Sequence, residues 1–433
     1  MAEILPLHRE APPLAPGGDQ QGHRWIDRIL ADLRAQLGMD VAFVSEFRGG
    51  QRIFRYVDAA PSNTAVIVGG SDPLEASYCQ RVIDGRLPEV IPDATRIPEC
   101  LSLPATFAIP VGAHISVPIH RADGSVYGTF CCFSGEPDPS LKDRDAAMLR
   151  ILAPLIGDYL ENEGVETARR GEIFDRTRRI LDAGGPDIVF QPIKHLARGT
   201  TSGYEALARF PASAGLPPDL WFIEAAEVGL GVELELAAIS VALRHFSDLP
   251  GDAYLSVNAS TPAILSAEFA GVISRVPSAR VVLELTEHAA VGDYAGLNAA
   301  LRAYRSAGLR IAVDDTGAGY ASMSHILQLH PDIIKLDRSL TLGIAEDRAR
   351  QAMATSLVSF SSEIGAHVVA EGIETERHLS VLISVGVEFG QGYHLGRPGP
   401  LEHRASSPAR GCRGTPPCIV GQSVDQAARA LPG

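Results

Sequence analysis

Apolar positions along the chain follow two different rhythms. Near the start, Ile26, Leu30, Leu33 and Leu37 recur at spacings of four and three, the period of an amphipathic helix. Apolar runs of strand length follow at residues 41–47, 51–57, 113–120 and 126–133, and Arg121-Ala122-Asp123-Gly124-Ser125 between the last two carries a hairpin-turn signal. A helix over 142–160 would close an α+β unit. Residues 161–184 are charged, with Val165, Ile173, Ile180 and Leu181 sparsely placed, and predict a connecting helix. From Asp187 to Pro398 short apolar runs alternate with helices. Leu297, Ala300, Leu301 and Tyr304 share one helical face, and Gly308 caps that helix before a strand at 310–313. Met353, Leu357, Phe360 and Ile364 repeat the arrangement, with Gly365 leading into a strand at 367–370. Strand–helix alternation over about 210 residues predicts an α/β fold with a parallel sheet. The expected organisation is a flexible tail at 1–22, a first domain at 23–160, a linker helix at 161–184, a second domain at 185–400 and a flexible tail at 401–433, rich in Ser, Pro, Gly and Arg.

Composition narrows this picture. With 433 residues, 45% hydrophobic and 21% charged, the chain can bury a large core, which excludes global disorder and a disulfide scaffold. Lys+Arg 38 against Asp+Glu 52 gives a net charge of −14, so no polymeric nucleic acid and no anionic membrane is expected as a partner. The most apolar candidate span, 148–160, is broken by Arg150, Pro154 and Asp158, and the first 18 residues lack the positive start and apolar core of a secretory signal. Six cysteines without a CxxC spacing point to a reducing, cytoplasmic setting. Cys131 and Cys132 would face opposite sides of a strand, and Cys79 reads as a packed thiol.

The polar residues of the second half are not scattered. Strand-like runs end in Glu205, Asn258, Glu284 with Glu287, Asp314 with Asp315, Lys335, Glu371 and Gln391. An isolated acid at a strand end is usually a helix cap or a solvated charge, and Asp337 and Glu374 fit that description. If the strands close into a parallel barrel, however, these ends share one face, where barrel active sites are built. So many carboxylates converging must protonate or hold cations, and oxygen donors without His or Cys select Mg²⁺ or Mn²⁺. His288, His325 and His394 read as surface or packing residues. Gly317-Ala318-Gly319 reads as a tight turn, since Ser322 occupies the position where a dinucleotide fingerprint has Gly or Ala.

These residues also carry a resemblance. Tyr204-Glu205-Ala206-Leu207-Ala208-Arg209 holds a Glu-Ala-Leu signature, followed or preceded in order by Gln191-Pro192-Ile193, Ser256-Val257-Asn258, Glu284-Leu285-Thr286-Glu287, Asp314-Asp315, Lys335-Leu336-Asp337, Glu371-Gly372-Ile373-Glu374 and Gln391-Gly392-Tyr393. Over about half the chain this resembles the EAL-domain cyclic-di-GMP phosphodiesterases. The resemblance implies a TIM-like (β/α)8 barrel that opens cyclic-di-GMP to the linear dinucleotide pGpG with two Mg²⁺ or Mn²⁺ ions. It implies Glu205, Asn258, Glu284, Asp314, Asp315 and Glu371 as metal ligands, with Asp314 beside both ions and Asp315 on the second. Lys335 would orient the attacking water and stabilise charge, Glu371 would be ligand or general base, and Gln391 would hold the surrounding shell. Gln191 and Arg209 would contact substrate, and Glu287 would anchor the loop after Asp315. That loop departs from the usual Asp-Asp-Phe-Gly-Thr-Gly-Tyr, with Thr316 for Phe and Ala318 for Thr, and Phe210 stands where Trp is common.

The first domain resembles a GAF-like sensor through Tyr78-Cys79-Gln80-Arg81-Val82, Ile91-Pro92-Asp93-Ala94 and Val126-Tyr127-Gly128. No cysteine is followed by histidine, so a bilin is not expected and no GAF ligand is assigned; no Gly-Gly-Asp-Glu-Phe synthase motif is present. The expected protein is a cytoplasmic homodimer, although the apolar seam of 161–184 is too thin to derive pairing from it. The alternative class is a non-catalytic cyclic-di-GMP receptor that signals to a protein partner.

Overall fold

The computed structural model describes residues 20–61, 66–285, 293–316 and 326–401, and at 20–23, 315 and 316 the backbone only. It divides into two compact units between Asp175 and Arg176.

The first unit is built on an antiparallel sheet of β1 (Val41–Arg48), β2 (Gln51–Ala59), β3 (Ser71–Pro73), β4 (Val90–Ile91), β5 (Ala113–His120) and β6 (Val126–Ser134), in the order β3-β2-β1-β6-β5-β4. Successive side chains along its long strands alternate between the two faces of the sheet. One face carries Ala42, Val44, Ile115, Val117 and Cys132 against Ile26, Leu30 and Leu33 of the helix Gln20–Leu37 and Leu149, Ala153 and Ile156 of a later helix. The other carries Phe43, Phe54, Cys131 and Phe133 against Tyr78, Cys79 and Leu103. Cys131 and Cys132 do face opposite sides. Short helices at Tyr78–Ile83, Pro98–Leu101 and Ala105–Ala108 fill the connection between β3 and β5. The helices expected at 142–160 and 161–184 form one continuous helix, Asp143–Asp182, because 161–182 contains no proline and its glycines, Gly164 and Gly171, keep helical backbone.

In the second unit β7 (Asp187–His195), β8 (Thr201–Arg209), β9 (Tyr254–Asn258), β10 (Val281–Leu285), β11 (Arg310–Thr316), β12 (Ile333–Leu336), β13 (His367–Ala370) and β14 (Phe389–Gly390) close into an eight-stranded barrel. Seven strands run parallel; β7 is antiparallel to both β8 and β14. The five residues 196–200 between β7 and β8 allow a hairpin, whereas a parallel crossover needs about a dozen.

Alternation along the strands separates two apolar layers. Leu255, Val257, Leu283, Ile311, Val313 and Ile334 point outward and pack against Leu236 and Ile239 and against Leu297 and Leu301 of the surrounding helices. Ile193, Tyr254, Val282, Ala312, Ile333 and Val369 plug the barrel interior. The helix Tyr294–Ser306 buries Leu297 and Leu301 as its spacing predicts. The helix Arg348–Ile364 is rotated from its expected face: Ala354, Leu357 and Ser361 are buried, while Met353 is 51% and Ile364 41% exposed. Small side chains at 354 and 361 allow close approach, and the Ser361 hydroxyl is satisfied by donating to the Leu357 carbonyl at 2.7 Å.

Candidate metal centre

The site follows from the interior plug by one step of the pleat. Two residues beyond Tyr254, Val282, Ala312, Ile333 and Val369 lie Ser256, Glu284, Asp314, Lys335 and Glu371. Because side chains repeat their direction every second residue, these form the next layer up the barrel. Glu205 stands two beyond Gly203, where an added Cβ would meet the Tyr254 ring at 2.6 Å, and Gln391 stands two beyond Phe389. β7 runs the other way, so its contribution, Gln191, lies two residues before Ile193 and opposite Glu205 in the register. Six strands thus supply one polar residue each to a single layer, and the residues just after β13 and β14, Glu371 and Gln391, complete it. Asn258 lies one further step up β9, paired in register with Glu284.

Lys335 sits at the centre, 1% exposed. Its Nζ donates to Glu284 Oε2 at 2.7 Å and lies 2.6 Å from Glu371 Oε1, 3.3 Å from Asp314 Oδ1 and 3.6 Å from Glu205 Oε1. Gln391 Nε2 donates to Glu205 Oε2 at 2.6 Å and to Glu371 Oε1 at 3.1 Å. Asn258 Nδ2 donates to Glu205 Oε1 at 3.4 Å, and the Ser256 hydroxyl to Glu284 Oε1 at 2.6 Å. Ser256 is a site residue that the sequence reading treated only as part of a motif; counting two from the apolar Tyr254 is the signal that finds it.

Four carboxylates face one ammonium, and the site cannot hold all of their charge without help. Burial pushes the Glu284 carboxyl well above the usual range, with the neighbouring Glu205 charge adding to it. Burial likewise raises Glu371, to about 8, despite Lys335 beside it. Burial would raise Glu205 too, but Lys335 and the Gln391 amide outweigh it and hold it low. Burial opposes the charge on Lys335, and the surrounding carboxylates more than restore it, led by Asp314. The donors are all oxygens, their charge is in excess, and Gln391 Oε1 is buried without a hydrogen-bond partner. That donor set fits hard divalent cations.

The other expected residues fall differently. Gln191 belongs to the layer, but its Nε2 donates to the Gly396 carbonyl at 3.1 Å, tying the end of the barrel to β7. Arg209 lies four residues beyond Glu205 on the same face of β8, and its Nη1 donates to the Ala208 carbonyl at 2.9 Å rather than to the cluster. Phe210 stacks on Trp221 with ring centroids 4.7 Å apart. Asp315 lies on β11 next to Asp314. Glu287, His288, His325, the turn at Gly317-Ala318-Gly319 and Cys412 and Cys418 lie outside the described residues. His394, read as a surface residue, pairs with Glu376 at 3.0 Å.

An α/β barrel with an acidic layer centred on a buried lysine defines a class of protein, and comparison places this chain within it. Residues 175–398 match the EAL domain model, and the chain belongs to the EAL family. Residues 25–161 match a GAF domain. The chain is 30% identical over 248 residues to the probable cyclic di-GMP phosphodiesterase PdeA of Escherichia coli, covering 54% of this chain and 34% of that protein. It is 27% identical over 401 residues to an uncharacterized signaling protein of Caulobacter vibrioides, covering 89% of this chain and 45% of that one. It therefore spans less than half the length of either relative. The EAL domain of Xanthomonas citri FimX, solved in complex with c-diGMP, shares the fold with a TM-score of 0.50 and 22% identity over 55% of this chain and 97% of that one. Among the described residues no helix is long and apolar enough to cross a membrane.

Proposed function

We propose that the second unit hydrolyses cyclic-di-GMP to linear pGpG in a divalent-metal-dependent reaction whose rate the GAF domain sets, and that the protein works as a cytoplasmic homodimer. The observation that carries the catalytic reading is the convergence of Glu205, Glu284, Asp314 and Glu371 within 3.6 Å of one buried ammonium. Glu205, Asn258, Glu284, Asp314, Asp315 and Glu371 are the proposed ligands of two Mg²⁺ or Mn²⁺ ions. Bound there, such ions would neutralise phosphoryl oxygens and lower the pKa of a water nucleophile.

The chain's own groups then divide the remaining work. Lys335, buried and held ionised by its neighbours, presents a fixed positive charge to the attacking water and to the charge that develops on phosphate. Glu371, whose carboxyl burial raises to about 8 in the metal-free site, is the proposed metal ligand or general base, which the metal's charge would keep ionised. Gln391, bridging Glu205 and Glu371, fixes the spacing of two carboxylates from one amide. Arg209, above the layer, and Gln191, within it, are the proposed substrate contacts, and Glu287 the loop anchor.

Incubation of the full chain with cyclic-di-GMP and Mg²⁺ or Mn²⁺, followed by chromatography, tests the proposal. Linear product that disappears in Glu205→Ala is expected. Tight binding without turnover under every metal would instead make the protein a receptor for the dinucleotide. Sedimentation of the same sample reads the oligomer.

A further inference from the structure

The first unit contains a second constellation of metal-type side chains, remote in chemistry from the oxygen-only layer of the barrel. Cys79, on the helix Tyr78–Ile83, His114 on β5 and Cys131 on β6 are all buried, and one donor atom from each lies within 4.8 Å of the other two. We propose that these three residues bind one transition-metal ion of the zinc class, leaving a single coordination position for a water-sized exogenous ligand.

The bland reading of a buried cysteine is a small hydrophobe. Cys132 is that case: it lies in an apolar cluster, and burial pushes its thiol up to about 12. The two sulfurs of the constellation are different, because each has a neighbour that can donate to a thiolate. Arg52 Nη1 donates to Cys79 Sγ at 3.1 Å. That guanidinium is itself fixed by Asp72, with Nε donating to Oδ1 at 2.9 Å, and by the face of Phe54, 4.8 Å away. The Ser116 hydroxyl, 3.1 Å from Cys131 Sγ, can donate to that sulfur, whereas the Cys131 thiol itself donates to Thr129 Oγ1 at 3.1 Å, and the Thr129 oxygen lies 2.9 Å from Ser45 Oγ. Outer-shell donors of this kind orient metal-bound thiolates and tune them.

The spacing also fits. The two sulfurs are 3.5 Å apart, far beyond a disulfide bond. Two metal–sulfur bonds of about 2.3 Å at the tetrahedral angle would place the sulfurs about 3.8 Å apart. His114 is 2% exposed and its Nδ1 has no hydrogen-bond partner. Charge closes as well, since two thiolates cancel a divalent ion and Asp72 cancels Arg52. A cavity of about 20 Å³ lined by Arg52, Tyr78 and His114, with Phe43 and Phe54, reaches the constellation at His114 and has room for one water-sized ligand. Loading the site takes the thiol protons off Cys79 and Cys131 and releases them to solvent.

The test uses the reduced full chain carrying Cys412→Ser and Cys418→Ser, so that thiols outside this unit cannot contribute. X-ray absorption at the zinc edge of the zinc-loaded protein should show two sulfur neighbours together with nitrogen or oxygen at one ion per chain. Ions held only by the barrel carboxylates would show oxygen alone, which would overturn the proposal. Cobalt loading should give thiolate charge-transfer and tetrahedral d–d bands that vanish in Cys79→Ala and in Cys131→Ala and persist in Cys132→Ala. Bands that survive both of the first two substitutions would equally overturn it, and the absorption spectrum of the chain with its four core cysteines intact decides the matter even if those variants do not fold.

Discussion

At the scale of single residues the barrel layer is a problem in electrostatics. Removing Lys335 while leaving four carboxylates around its place strands buried charge, and breaking a buried ion pair from one side costs about 3–5 kcal/mol. Lys335→Met should therefore lower the melting temperature sharply in EDTA and recover much of the loss in Mn²⁺. Equal melting of variant and parent in EDTA would show that the ammonium does not hold the layer together. Glu371 makes a pH prediction with a definite sign. Its carboxyl rises from an ordinary 4.5 to about 8 on folding, so folding favours its neutral form. The stability this contributes is complete below 4.5 and is lost as pH rises through about 8. Glu284 is displaced in the same direction, while Glu205, held low, loses its contribution only as pH falls through acid. Metal-free protein should thus lose stability between mildly acidic pH and pH 8, and Glu371→Gln should flatten that slope. A variant whose melting temperature tracks the parent's at every pH would remove Glu371 from the account.

At the scale of elements, the most informative position lies just past β14. Gly392 has φ of 154°, and a Cβ there would sit 2.2 Å from the backbone nitrogen of Ile373. The turn beside Glu371 and the turn that carries Gln391 are therefore pressed together, and Ile373 N donates to the Gln391 carbonyl at 3.0 Å. Gly392→Ala should cost more than about 1 kcal/mol, since both the conformation and the contact are closed to a side chain. It should also weaken Mn²⁺ binding, because the shift pulls Gln391 off Glu205 and Glu371. Gly399→Ala, with open space around it, is the control for calorimetry of both. Much of this architecture is legible in sequence for a physical reason. Strands buried on both faces must be apolar throughout, so a charged residue at their end stands out, as Glu284 does after Val281-Val282-Leu283. The sense of β7 was not legible, because a nine-residue apolar-polar strand reads alike in either direction and only the short link to β8 decides it. The face of the helix Arg348–Ile364 was missed because spacing rewards large residues, whereas close packing selected Ala354 and Ser361. Ser256 was passed over because a hydroxyl amid carboxylates carries no charge to attract notice.

At the scale of the whole molecule, what counts as the second unit is set by packing rather than by the charge pattern. The sequence suggests a boundary at 185, after a linker helix. Yet Arg176 pairs with Glu224 and lies over Trp221, its guanidinium carbon 5.0 Å from the ring centroid. Thr177 is 1% exposed, and Ile180 and Leu181 pack against Ala225, Leu230 and Leu234. The last two turns of the helix Asp143–Asp182 therefore belong to the second unit, in keeping with an EAL match that begins at residue 175. A chain beginning at residue 185 gives up this apolar contact, the cation–ring interaction and the Arg176–Glu224 pair. The loss should amount to about 2 kcal/mol or more. A chain beginning at residue 170 keeps all of it. Denaturant unfolding of the two should separate their midpoints in that order, and coincident midpoints would return the boundary to 185.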